Sequence, residues 1–166
     1  ILGLLLGAGL RRDELCNLTF DAIKQQPTKG GKLRSVIEVT GKGNKTRVIP
    51  ISALLAQRLA AWRFEIGAGK IARSVSKGKT AAIGESLSTI GIFKLVSSYG
   101  AMIGKGKLAP HDLRRTYAQF GYEAGIPLTQ LQVLLGHESI ATTQKYLDLN
   151  LDLETTVSDF IPLAGD

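Results

Sequence analysis

Residues 33–40 (LRSVIEVT) and 46–49 (TRVI) are β-branched and roughly alternating, and Gly41-Lys42-Gly43-Asn44 lies between them. The pattern predicts two antiparallel strands joined by a tight turn, the second stopped by Pro50. The other periodic segments read as helices. A chain of this kind is expected to be α+β: mostly α-helical, with a small antiparallel β-hairpin or sheet on one side.

The helices have recognisable starts and stops. Residues 1–8 read as a buried helix broken near Gly7-Ala8-Gly9. A second runs from about Arg12 to Leu18, with Leu15 and Leu18 on one face. Ser52 can cap a helix through about Ile66, with Leu54, Leu55, Leu59 and Trp62 on its apolar face. Residues 67–85 are rich in Gly, Lys and Ser and read as a mobile loop. Ser88 caps a further helix through about Ile103, followed by the short basic loop Gly104–Leu108. Pro110 suits the first turn of a helix to about Ala124. Pro127 begins the next, with Leu128, Leu131, Leu134 and Leu135 inward, and Gly136 ends it. Ser139 caps a helix that includes Tyr146, and residues 151–160 form a last short helix. With 166 residues and no linker between two apolar patterns, one domain is expected over 1–166.

Charge is unevenly spread. The net charge is +7, and the middle of the chain carries most of the excess. Lys45 and Arg47 lie beside the hairpin turn, Lys105 and Lys107 in the short loop, and Arg115 on the helix that follows. A basic excess suggests an anionic partner, either nucleic acid or a membrane surface, and these five are candidate phosphate contacts. Beyond Lys145 there is no basic residue, and the tail 147–166 is acidic. One cysteine and two histidines make a multi-cysteine or His-rich metal site improbable. The apolar start is too short to span a bilayer and lacks signal-peptide features. A cytoplasmic setting without a membrane is expected.

Several segments carry chemistry: Gly9-Leu10-Arg11 with Glu14, the turn with Lys42, His111-Asp112-Leu113-Arg114, Leu135-Gly136-His137, and Tyr146 nine residues after that histidine. Taken singly, each is an ordinary surface charge, basic turn, helix cap or core aromatic. Together they supply two guanidinium groups for a phosphate, two imidazoles for protons, a lysine for a leaving alkoxide and a phenol as nucleophile. That set suffices for phosphoryl transfer with arginines as charge stabilisers.

The order Arg, Lys, His-x-x-Arg, Leu-Gly-His, Tyr resembles the tyrosine recombinase family, which includes phage integrases. The resemblance runs over roughly residues 1–150, through GLRRDEL, HDLRRTYA and LLGHES…TTQKY. It implies the family's catalytic-domain fold and a site-specific recombinase that cuts and rejoins double-stranded DNA through a 3′-phosphotyrosyl link, without metal, cofactor or ATP. By residue match, Tyr146 would be the nucleophile, and Arg11 and Arg114 would clamp the non-bridging oxygens. His137 would add a hydrogen bond, His111 would move the proton, and Lys42 would protonate the leaving 5′-oxygen. Glu14 would orient the site without reacting.

The resemblance also implies self-association, as a tetramer on DNA in the full-length protein. The family's N-terminal DNA-clamping domain has no counterpart in these residues. The acidic tail is a candidate for docking on a neighbouring protomer, with 151–163 as its helix. Ala8 and Arg12 depart from the residues common in the family. A catalytically idle DNA-binding module and a type IB topoisomerase share parts of the pattern. The Leu-Gly-His histidine and its short spacing to Tyr146 favour the recombinase. A helix-turn-helix regulator would leave Arg11, Lys42 and His111 without a role.

Overall fold

The computed structural model describes residues 1–76 and 82–149, with the side chain of Lys42 outside that description. Lys77, Lys79 and the expected tail helix therefore lie outside the described residues. In chain order the elements are α1 (Leu2–Ala8), α2 (Arg12–Asn17), β1 (Ile23–Pro27), β2 (Leu33–Thr40), β3 (Thr46–Pro50), α3 (Ala53–Ile66), α4 (Thr89–Met102), α5 (Pro110–Glu123), α6 (Leu128–Leu135) and α7 (Ile140–Leu147). The α+β expectation holds, and helices predominate.

The sheet has three strands in the order β1-β2-β3, each pair antiparallel. The two expected strands pair with Val39 opposite Arg47 and Ile37 opposite Ile49. Strand β1 was not expected. Its sequence IKQQP carries one β-branched residue, so what holds it is the ladder to β2, from Ile23↔Ile37 to Pro27↔Leu33. On β2 and β3, Val36, Ile37, Val39 and Ile49 are buried.

The predicted caps are present. The Ser52 hydroxyl accepts from the Leu55 N–H, Ser88 from Gly91 and Ser139 from Thr142. Leu54 corrects one detail, because it is 59% exposed while Leu59 fills the inward position of α3. The described part of the segment after α3 makes tertiary contacts. Ile71 and Ala72 are buried, and the Trp62 indole N–H donates to the Ile71 carbonyl at 2.9 Å. Ser74 and Ser86 pair through their backbones at 3.1 Å.

Most core residues form one cluster in which α1 and α2 meet the sheet, α3 and α4. A smaller cluster joins Ala118, Leu131, Leu135 and Leu147, with Tyr117 and Tyr146 against it. The seam between the two clusters is where α2, the start of β3, α5 and the α6–α7 corner converge. The candidate residues lie along that seam.

Candidate active site

Two left-handed helix ends build the floor of the site. Gly9 closes α1 at φ 57°, and a Cβ there would come within 2.4 Å of the Tyr117 ring. Gly136 closes α6 at φ 61°, against the Arg47 side chain. Glycine, lacking a Cβ, enters this backbone region at no steric cost. Each end also turns a carbonyl towards an arginine. Gly9 O accepts from Arg114 at 2.6 Å, and Gly136 O accepts from Arg11 at 3.0 Å.

Glu14 joins these parts. Its carboxylate takes the Arg11 backbone N–H at 2.7 Å and the Arg11 guanidinium at 2.9 Å. It also takes two bonds from Arg47, at 2.7 and 2.8 Å, and lies 3.9 Å from Arg114. Burial by itself would raise this carboxyl. The bonds from Arg47 and the Arg11 backbone, with the positive field of Arg47, outweigh it and hold the group at about 2. One carboxylate thus joins Arg11, Arg47 and Arg114.

Arg47 is a correction. It was expected to reach outward to DNA phosphate, but it is 8% exposed. Its Nε donates to the Leu134 carbonyl at 2.9 Å while both terminal nitrogens bind Glu14. It ties β3 to α2 and to the end of α6 instead. Strand parity could have revealed this, since Arg47 shares a face with buried Ile49 two residues on.

Arg114 is buried, its guanidinium bound to the carbonyls of Gly9 and Leu135. Burial, then repulsion from Arg11, lowers it to about 10, so it stays charged at neutral pH. It still lines a cleft of about 340 Å³ with Arg11, His111 and Phe93. An adjoining cleft of about 390 Å³ is lined by Arg11, Gly41, Lys45, Thr46 and His137. Arg11 is the shared wall.

Tyr146 lies on α7 between two imidazoles. The His111 and His137 ring centres are each 5.2 Å from its own, edge-on at 82° and 74°. Its hydroxyl points towards the His111 carbonyl at 3.5 Å, a long contact. Burial raises the phenol's pKa, and the charges of Arg114, Arg115 and Arg11 oppose that rise. His137 is lowered to about 4 by burial first and then by Arg114, Arg11, Arg47 and His111. It is therefore neutral at pH 7. Its Nδ1 is 3.0 Å from the hydroxyl of Thr143, a buried residue not singled out in the sequence.

The structure thus gathers Arg11, Glu14, His111, Arg114, His137 and Tyr146 at one seam. Lys42 opens the turn between β2 and β3, whose neighbours Gly41 and Lys45 line the larger cleft. Lys45, Lys105, Lys107 and Arg115 are exposed.

The sequence model of the phage integrase family matches residues 1–152. The chain belongs to the phage integrase family. Similar curated proteins include a tyrosine recombinase of Pseudothermotoga lettingae, 33% identical over 149 residues, with 89% of this chain and 48% of that protein covered. The tyrosine recombinase XerA of Thermococcus kodakarensis is 34% identical over 153 residues, covering 90% and 50%. The chain spans about half the length of the curated relatives it matches. The crystal structure of a XerA recombinase superposes with TM-score 0.67 at 26% identity, over 89% of this chain and 52% of that one. A XerH site-specific recombinase bound to its difH substrate, in a pre-cleavage complex, gives 0.70 at 23% identity, over 92% and 43%. The phage integrase fold is thus shared with these recombinases. No helix among the described residues is long and apolar enough to cross a membrane.

A consequence for stability follows from Glu14 and His137. Glu14 ionises more readily in the fold than at its ordinary 4.5, so its contribution is complete above pH 4.5 and is lost towards about 2. His137 resists protonation in the fold, so the unfolded chain takes up the extra proton between 6.5 and about 4. Both make stability fall as pH falls, His137 in the upper window and Glu14 in the lower. Glu14→Gln should leave Arg47 poorly compensated and cost about 3–5 kcal/mol at pH 7. It should also flatten the limb below pH 4.5. Urea unfolding at a series of pH values reads both, and an unchanged acid limb would discount the Glu14–Arg47 pair.

Proposed function

We propose that this chain is the catalytic part of a site-specific DNA recombinase that breaks and rejoins strands through Tyr146. The observation that carries the reading is the placement of the Tyr146 ring between His111 and His137, beside clefts walled by Arg11. The phenol oxygen attacks the scissile phosphorus, a P–O bond to Tyr146 forms and the bond to the 5′-oxygen breaks. His111 takes the phenolic proton, and Lys42 supplies one to the departing 5′-oxygen. Arg11 and Arg114 carry the charge that builds on the non-bridging oxygens, and His137 donates a further hydrogen bond. In the second step a 5′-hydroxyl of another strand attacks the 3′-phosphotyrosyl link and frees Tyr146. One ester is exchanged for another, so the step needs no ATP.

Arg114 has two of its donors on protein carbonyls. Entry of a phosphate then exchanges carbonyl partners for charged oxygens, which bind guanidinium more strongly. Strand exchange needs a second cut strand, so we place a second copy of the recombinase on the same DNA. The relatives' names and the XerH complex with its substrate support this reading.

Covalent capture tests it. A nicked duplex that loses its 5′-hydroxyl fragment by diffusion should leave a denaturation-resistant adduct with the wild-type protein. No adduct across candidate recombination sites would overturn the proposal. The exposed lysines give a graded measurement. Replacing Lys45, Lys105 or Lys107 by Ala should weaken binding to all sequences alike. Each should reduce the slope of log affinity against log salt by roughly 0.9. A loss confined to one DNA sequence would show that the lysine reads bases instead.

A further inference from the structure

We infer that Thr143 is a positioning residue that fixes which nitrogen of His137 carries the proton, so that Nε2–H is the donor offered to the reacting phosphate. The inference rests on the recombinase reading for its chemistry, but its geometry stands apart from it. Thr143 is 0% exposed, and its Oγ1 lies 3.0 Å from His137 Nδ1. It occupies α7 one turn before Tyr146, on the face that also buries Leu147. One short helix therefore carries both the nucleophile and the group that sets its neighbour's proton.

The direction of the bond follows from accounting for hydrogens. A neutral imidazole has one N–H and one acceptor nitrogen. If Nδ1 held the proton and donated to Thr143, the threonine hydroxyl would need a second acceptor. Among the described residues, Thr143 Oγ1 has the bond to His137 and no other. A buried hydroxyl proton without a partner is disfavoured. If Thr143 instead donates to Nδ1, every hydrogen is used, and Nε2 keeps its proton for the cleft that His137 lines. The backbone that carries the ring is held on both sides. The His137 N–H bonds to the Gln132 carbonyl at 3.1 Å, and the Gln132 side chain returns to the His137 carbonyl at 3.3 Å. The lowered pKa of His137 keeps it neutral in the working range, where the choice of tautomer matters.

Nitrogen-15 correlation spectra of histidine-labelled protein test this directly, because the chain has two histidines and His111→Gln assigns them. Wild-type His137 should show the Nε2–H tautomer, and an Nδ1–H spectrum would overturn the inference without any Thr143 variant. Thr143→Val keeps the shape and removes the donor, so His137 should shift towards Nδ1–H or a mixture. Adduct formation at saturating DNA should then slow on the order of 10-fold to 100-fold. DNA affinity should stay unchanged, since His137 would act in the transition state. Thr143→Ser should restore both spectrum and rate. A Thr143→Val rate indistinguishable from wild type overturns the positioning role, even with a changed spectrum. If the valine variant does not fold, Thr143→Ala and Thr143→Ser make the same comparison. If no wild-type adduct forms, the recombinase reading falls, and the spectrum still decides the tautomer.

Discussion

Tyr146→Phe should reduce covalent adduct formation by roughly 10⁵-fold or more, to below detection, because it removes the nucleophilic atom itself. DNA affinity and stability should barely change. The lost hydroxyl gives up a long 3.5 Å contact to the His111 carbonyl and a hydrogen bond with the Arg114 guanidinium, which keeps its two carbonyl partners, while the ring keeps its packing beside the imidazoles and against the α5–α6–α7 cluster. The chain has four tyrosines, so the assignment has internal competitors. Tyr99 and Tyr122 are 46% and 41% exposed, and Tyr117 packs on Gly9. None of these three has an imidazole contact among the described residues. If the Phe variant gives as much adduct as wild type, the nucleophile is another of the four and the site has been misplaced. Peptide mapping of the wild-type adduct checks the same point from the other side, and it should recover DNA on the segment containing Tyr146.

Much of this arrangement is legible in the sequence. Helix starts were readable because Ser52, Ser88 and Ser139 satisfy backbone N–H groups, a local interaction that sequence encodes directly. The glycine ends of α1 and α6 were readable for the same reason. The chemical set was legible as residue types in a fixed order. What sequence hid were interactions whose partner is remote. Strand β1 exists because β2 offers it a ladder, and IKQQP shows little of that. Arg47 looked like part of a basic turn. Its actual role depends on Glu14, 33 residues away, and on the Leu134 carbonyl, 87 residues away. Thr143 stood in the sequence only as part of TTQKY, and the α6–α7 corner brings His137 onto it. In the last two cases the face was encoded by strand or helix periodicity, but the partner was not.

Lys42→Ala should slow cleavage of an ordinary phosphodiester by about 10²–10⁴-fold, the range expected for loss of a general acid. The same variant should cut a substrate with sulfur at the 5′-bridging position at close to the wild-type rate. A thiolate leaves without a proton, so the group that supplies one becomes dispensable. The turn is closed by the Gly41 N–H donating to the Lys45 carbonyl at 2.9 Å. Gly43 and Asn44 take left-handed angles of 72° and 58° inside it. Its two ends, Gly41 and Lys45, line the cleft that also holds Arg11 and His137. Lys42 follows Gly41 directly in the chain, and the sheet that carries the turn is anchored through Arg47 and Glu14. Lys45 is the competitor, since it is exposed and lines the same space. The sulfur substrate separates them. The true acid is the lysine whose alanine variant is slow on oxygen and rescued on sulfur, whereas a phosphate contact is equally slow on both. Arg114→Ala supplies the contrast, because charge on the non-bridging oxygens builds whatever the leaving atom is. Rescue of Lys45→Ala without rescue of Lys42→Ala would move the acid to Lys45. Rescue of neither would remove the hairpin turn from proton transfer.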